Sequence, residues 1–212
     1  MTELTRRERE RQIREADIIT AAEKVFILKG YEDSSMDEIA KEAQFTKRTL
    51  YQYFENKDEL YLAVTLKVFK QFYASLRTAY DEKESGYTKI EKACTFFYQF
   101  FKENPGTLQV IKSIGKAKRK SSEGSTRRQE LFVFNEGIFN MIGSFITQGQ
   151  TDGSIKLGLD PQKTACSLIF LTTGYLYLFS YTGENFTENF SLDKDDFSEF
   201  TLGLLLAILK ND

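Results

Sequence analysis

Lys47 and Arg48 stand together in a short run, Thr46-Lys47-Arg48-Thr49-Leu50-Tyr51-Gln52-Tyr53, with hydroxyls, an amide and two phenols around them. Groups of these types recognise anions and base edges. A guanidinium can grip guanine O6 and N7 through two parallel hydrogen bonds, and a threonine can meet a thymine methyl or a base edge. Lysine and tyrosine donate to phosphate oxygens. At a helix start, two cations oppose the local partial positive charge by about 0.3–1 kcal/mol, so an external anion is their natural partner. Arg48 is the candidate base reader, with Thr49 and Gln52 beside it. Lys47, Tyr51, Tyr53 and the later Lys57 are candidate phosphate contacts.

These side chains need a scaffold that presents one short helix. Ser35–Lys57, SMDEIAKEAQFTKRTLYQYFENK, reads as two short helices and a tight turn, which is a helix-turn-helix. Ser35 with Glu38 forms a capping-box signature, and Thr46 caps the next helix. As caps, Ser35 and Thr46 leave helix N-termini that can themselves receive phosphate. An earlier helix is expected over about 13–29, with Ile18, Ala21, Ala22, Val25 and Phe26 on one face and Gly30 ending it. A fourth starts near Asn56 and runs towards Tyr80. Residues 1–12 are an alternation of arginines and acids, read either as a frayed solvated arm or as an arm reaching phosphates.

The remainder stays helical. Segments at 87–103, from Asn104-Pro105, at 129–150, from Asp160-Pro161 to about 182, and at 193–210 carry helical periodicity or a cap followed by proline. GKAKRKSSEGSTRR at 115–128 reads as a mobile polar loop, and GENFTENFSLD as a second loop. The fold class is therefore all-α: a three-helix DNA-binding head over 1–57 and a helical domain over 58–212.

Composition removes other classes. The 212 residues contain no His, and the 2 Cys, Cys94 and Cys166, lie far apart. That leaves no histidine base, no Ser-His-Asp triad and no zinc-ligand pattern, so no enzyme, cofactor or metal site is expected. The cysteines read as reduced and buried, suiting the cytoplasm. The apolar segment 165–181 is shorter than a membrane span. Net charge is -2, and residues 1–60 hold 11 Lys+Arg against 14 Asp+Glu, so DNA attraction must come from a local basic face.

The stretch Ile18–Val64 resembles the DNA-binding domain of TetR-type regulators. The marks are Ala21-Ala22, Phe26, Gly30-Tyr31, Ile39-Ala40, Ala43, Thr49-Leu50-Tyr51, Phe54, Lys57 and Leu60, and TLYQYFENKDEL is the most specific part. Gln44 and Phe45 depart from the family's glycine and small aliphatic residue, and Gln44 is expected to take positive φ at some cost. Arg48 stands where glycine is common, and Tyr53 where histidine is frequent.

The resemblance implies a homodimer reading a palindromic operator, with a larger domain that binds a small molecule and releases DNA. Leu168, Leu176, Phe197, Phe200, Leu204, Leu205 and Ile208 are the expected dimer contacts. Phe96, Phe97, Phe100, Phe101, Phe132, Phe139, Phe170 and Tyr175 are the expected pocket lining, which suits a hydrophobic or aromatic ligand. Large side chains of this kind also simply fill helical cores. The leading expectation is thus a ligand-responsive repressor. The alternative is a DNA-binding protein without a small-molecule ligand, whose helical domain only dimerises or recruits a partner.

Overall fold

The computed structural model describes residues 5–112, 117 and 124–211. The helices are α1 (Arg6–Lys29), α2 (Met36–Glu42), α3 (Lys47–Tyr51), α4 (Lys57–Leu76), α5 (Gly86–Glu103), α6 (Pro105–Lys112), α7 (Thr126–Asp152), α8 (Pro161–Phe190) and α9 (Lys194–Ala207). An isolated antiparallel bridge joins Ile155 and Lys210. The fold is all-α. Most of the expected loop at 115–128 lies outside the described residues, but from Thr126 that segment is helix.

Two compact units result. One takes the described residues up to Lys70 and those within Gly106–Phe132; the other takes Gln71–Pro105 and those within Val133–Asp212. The expected boundary at residue 57 is not where these units part. Leu60, Tyr61, Leu62 and Val64 of α4 are fully buried, and the Tyr61 hydroxyl donates to the Val110 carbonyl of α6.

In the first unit, α1 starts at Arg6, seven residues before the expected start, and is no frayed arm. Thr5 caps it: the Glu8 amide donates to Thr5 Oγ1 at 3.3 Å, and the Thr5 amide donates to Glu8 at 2.7 Å. The Thr-x-x-Glu signature for this was present in the sequence. Gly30, at φ 78, ends the helix as expected. Ile18, Ala22, Phe26, Ile39, Leu50 and Phe54 close the core, each large side chain contributing about 1.5–3 kcal/mol. Phe26 and Tyr31 both meet Tyr61 edge-on, at 4.8 and 4.7 Å between centroids. Arg127, from the start of α7, reaches into the same unit: it pairs with Glu15 at 2.7 Å, lies 3.8 Å from the buried Glu59, and covers the Phe54 ring at 4.8 Å.

In the second unit, Phe72 of α4 is surrounded by Phe96, Phe97, Phe100 and Phe101 of α5, at centroid distances of 5.6, 5.4, 5.1 and 6.2 Å. Helices α5 and α7 touch backbone to backbone. A Cβ on Gly86 would come 2.2 Å from the Gly149 nitrogen and from the Phe145 oxygen. The Asp152 carboxylate accepts from the Gly86 amide at 2.9 Å, tying the start of α5 to the end of α7. The Cys94 thiol is pushed up to about 12 by burial, which keeps it protonated and inert.

Helix α8 is longer than expected. The segment at 183–190, expected as loop, continues the helix to a left-handed Ser191 at φ 53. Aromatic packing overrides the weak local propensity: Phe186 meets Phe190 at 4.9 Å and Phe197 at 5.5 Å, and Gly183 lets the Phe179 ring lie close. With its 30 residues α8 is long and apolar enough to cross a membrane by length and composition alone, which corrects the expectation that this segment falls short. Its inner face, Ala165, Leu168, Thr172 and Leu176, is buried against the rest of the unit.

Candidate nucleic-acid interface

Helix α2 ends in a Schellman motif, with Phe45 N donating to Ala40 O at 2.9 Å and Gln44 N to Lys41 O at 3.2 Å. Gln44 occupies the left-handed position, at φ 56, as the sequence predicted. This turn sets the direction of α3. Thr46 caps α3 by accepting from the Thr49 amide at 3.1 Å, and Leu50, fully buried, pins its inner side. Arg48, Tyr51 and Gln52 remain exposed, and among the described residues no hydrogen bond or ion pair engages their side chains. Within this unit α1, α2 and α4 each carry an acid in the first turn, whereas α3 carries none. Five of the head's acids thus stand at other helix starts, and α3 has no acid in its own first turn.

Other expected contacts have partners inside the protein. Lys47 pairs with Asp37 at 2.7 Å, and that hydrogen bond raises its pKa above the ordinary lysine value. The expectation that Lys47 lacks an acidic neighbour is corrected: Asp37 of α2 supplies one. Ser35 is taken up by Glu38, whose amide donates to Ser35 Oγ at 3.3 Å and whose carboxylate accepts the Ser35 amide at 3.0 Å. A carboxylate therefore already stands where a phosphate at this helix start was expected. The Thr49 and Thr46 hydroxyls share a hydrogen bond at 2.8 Å.

Lys57 shows the largest change of role. Its ammonium donates to the carbonyls of Tyr31 at 2.6 Å, Ser34 at 2.9 Å and Glu32 at 3.2 Å, and lies 4.6 Å from the Tyr31 ring centroid. An ammonium has three donors, and here all are directed at the turn between α1 and α2. Lys57 is first an anchor of that turn, and a phosphate would have to share it. Tyr53 is half-buried, with the Arg11 guanidinium 5.9 Å from its ring centroid. Sequence reasoning missed Asp37, Arg11 and Arg127 as neighbours of the head, since all three act across elements.

Residues 18–64 match the family model for bacterial regulatory proteins of the tetR family. An uncharacterized HTH-type transcriptional regulator of Haemophilus influenzae is 33% identical over 95 residues, 45% of this chain and 51% of that one. The chain thus spans about half the length of the first curated relatives it matches. An HTH-type transcriptional regulator of Staphylococcus aureus strain USA300 is 30% identical over 131 residues, 62% of this chain and 70% of its own length. The chain belongs to the TetR family. The TetR-type fold extends over nearly the whole chain: the transcriptional regulator FadR from Bacillus subtilis, in complex with stearoyl-CoA, superposes with a TM-score of 0.71 over 91% of this chain and 98% of that one, at 22% identity.

The residues expected to line a pocket in this TetR-family chain do not form one wall. Phe96, Phe97, Phe100 and Phe101 gather on Phe72; Phe101 is buried and the other three are half-buried. Phe139 meets Phe170 at 6.4 Å, but Phe170 is 73% exposed. Tyr175 stacks on Phe179 at 5.2 Å and donates to Ser198 Oγ at 3.0 Å, so it belongs to the α8–α9 contact. Phe132 is in the first unit and 65% exposed.

The expected dimer contacts also divide. Leu168 and Leu176 are buried within their own unit, and Leu205 and Phe197 are half-buried. This corrects Leu168 and Leu176, whose side of α8 faces inwards. Phe200, Leu204 and Ile208 of α9 are exposed by 62, 56 and 63%. Among the exposed apolar residues of α8, helical spacing puts Phe170, Leu171 and Leu178 on one face.

Proposed function

We propose that this chain is a homodimeric, sequence-specific DNA-binding regulator of transcription that acts in the cytoplasm, reads a palindromic operator and represses until a small apolar molecule releases it. The observation that carries the DNA reading is α3: its first turn holds two cations and no acid, and Arg48, Tyr51 and Gln52 project from it unengaged. Phe170, Leu171 and Leu178 with Phe200, Leu204 and Ile208 support the homodimer, because an apolar face of this size on two neighbouring helices is stable in water when a second copy covers it.

The likeness to FadR bound to stearoyl-CoA makes a long-chain acyl thioester the first ligand to try. Aromatic α5 gives such a chain an apolar environment. A second reading, regulation without a small molecule, is favoured by the close ring packing around Phe72, which engages those side chains with one another.

Selection of duplexes from a random pool by the purified protein tests the DNA reading. Enrichment of an inverted repeat, with half-sites one helical turn or a multiple apart, supports it, and a pool that stays random refutes it. Stearoyl-CoA is then titrated into the complex. Release at micromolar concentration supports the acyl ligand, whereas an unchanged complex across acyl, aromatic and steroid probes supports the second reading.

A further inference from the structure

Helix α1 extends well beyond the core it serves, and its extension carries a stripe of one charge. Arg7, Arg11 and Arg14 recur at the spacing that continues the face of Ile18, which is fully buried in the head. All three are exposed, and among the described residues no carboxylate lies within ion-pair distance of any of them. Three of the neighbouring acids are used elsewhere. Glu8 closes the Thr5 capping box, Glu10 pairs with Arg6 at 3.0 Å, and Glu15 pairs with Arg127 at 2.7 Å. The stripe is not remote from the reading element, since the Arg11 guanidinium lies over the ring of Tyr53, two residues beyond α3.

We infer that the first turns of α1 form a second DNA-contact element, in which Arg7, Arg11 and Arg14 bind backbone phosphates flanking the bases that α3 reads. This rests on the DNA-binding reading above. The stripe's dimensions suit the task. Seven residues of helix rise about 10 Å, and phosphates follow one another at about 3.4 Å of rise on one strand, so the stripe spans about three of them. The Thr5 capping box holds the extension as a helix before DNA arrives, so little ordering entropy is lost on binding. Arginine suits phosphate through its fork of donors.

The test compares the parent chain with Arg7→Gln/Arg11→Gln/Arg14→Gln and with the charge-keeping Arg7→Lys/Arg11→Lys/Arg14→Lys, on the selected operator, with long and short flanks, across a salt series. Each lost phosphate contact removes about 0.9 from the salt slope, so the glutamine variant should lose about 2–3 in slope and bind all duplexes more weakly, with its base preference unchanged. The lysine variant should keep most of the slope, and trimming the flanks should remove the difference between parent and glutamine variant. Far-UV circular dichroism and melting establish that both variants are folded. An unchanged slope in the folded glutamine variant overturns the proposal, and so does an equal loss in the folded lysine variant. A changed base preference would assign the stripe to base reading instead, and also overturns it. If the parent itself selects no duplex, the functional reading falls and this proposal with it.

Discussion

Among the described residues no hydrogen bond or ion pair engages the Arg48 side chain, and its effect should be visible in bases rather than in overall stability. Arg48→Ala should weaken operator binding by about 1–3 kcal/mol and relax preference at one position of each half-site. Titrations against half-site variants check this, and a uniform loss on all sequences would move Arg48 to the phosphates. Asp152 makes a prediction in acid. Hydrogen bonding from Ser154, then from the Gly86 amide, holds its carboxyl below the ordinary aspartate range. A carboxyl depressed in the folded state contributes stability above its unfolded value, and that contribution fades as pH falls through the folded value. Asp152→Asn should therefore melt below the parent near neutral pH, and the two should converge in acid below the ordinary aspartate pKa of about 4; melting curves taken through that window decide it.

At the level of elements, the α2–α3 turn was legible and its cost is measurable. Gln44 at φ 56 bears a Cβ where glycine has none. Gln44→Gly should stabilise the protein by about 0.5–1 kcal/mol, the left-handed cost less glycine's entropy, as read by denaturant midpoint. The caps were legible too: Ser35 with Glu38, Thr46, and Asp160 before Pro161 stand at helix starts in the structure. Such signals are local and written within four residues. What was not legible depends on other elements. Lys57 reads as a surface cation until the turn at Tyr31–Ser34 folds over it, and Lys47 reads as unpaired until α2 brings Asp37 alongside. The segment at 183–190 carries glycine and asparagines and reads as loop, but Phe197, from the next helix, holds Phe186 in place. The phenylalanines of α5 looked alike in the sequence, because spacing alone does not separate a ring that lines a cavity from one that fills it.

For the whole molecule, the two faces of α8 and α9 should separate in experiment. Leu204→Glu should give a folded monomer in sedimentation, with operator affinity lost because only one half-site can be held. Leu168→Ala, on the buried face, should keep the oligomer and lose about 2–5 kcal/mol of stability instead. A dimer that persists in Leu204→Glu would place the association elsewhere. Among the features of the second unit, the meeting of Gly86 with Gly149 has a mechanical meaning. Where two helices touch through their main chains there is no rotamer to change and no side chain to compress. The start of α5 and the last turn of α7 are therefore pinned at one point, and a displacement of either helix there is handed to the other with nothing between them to absorb it.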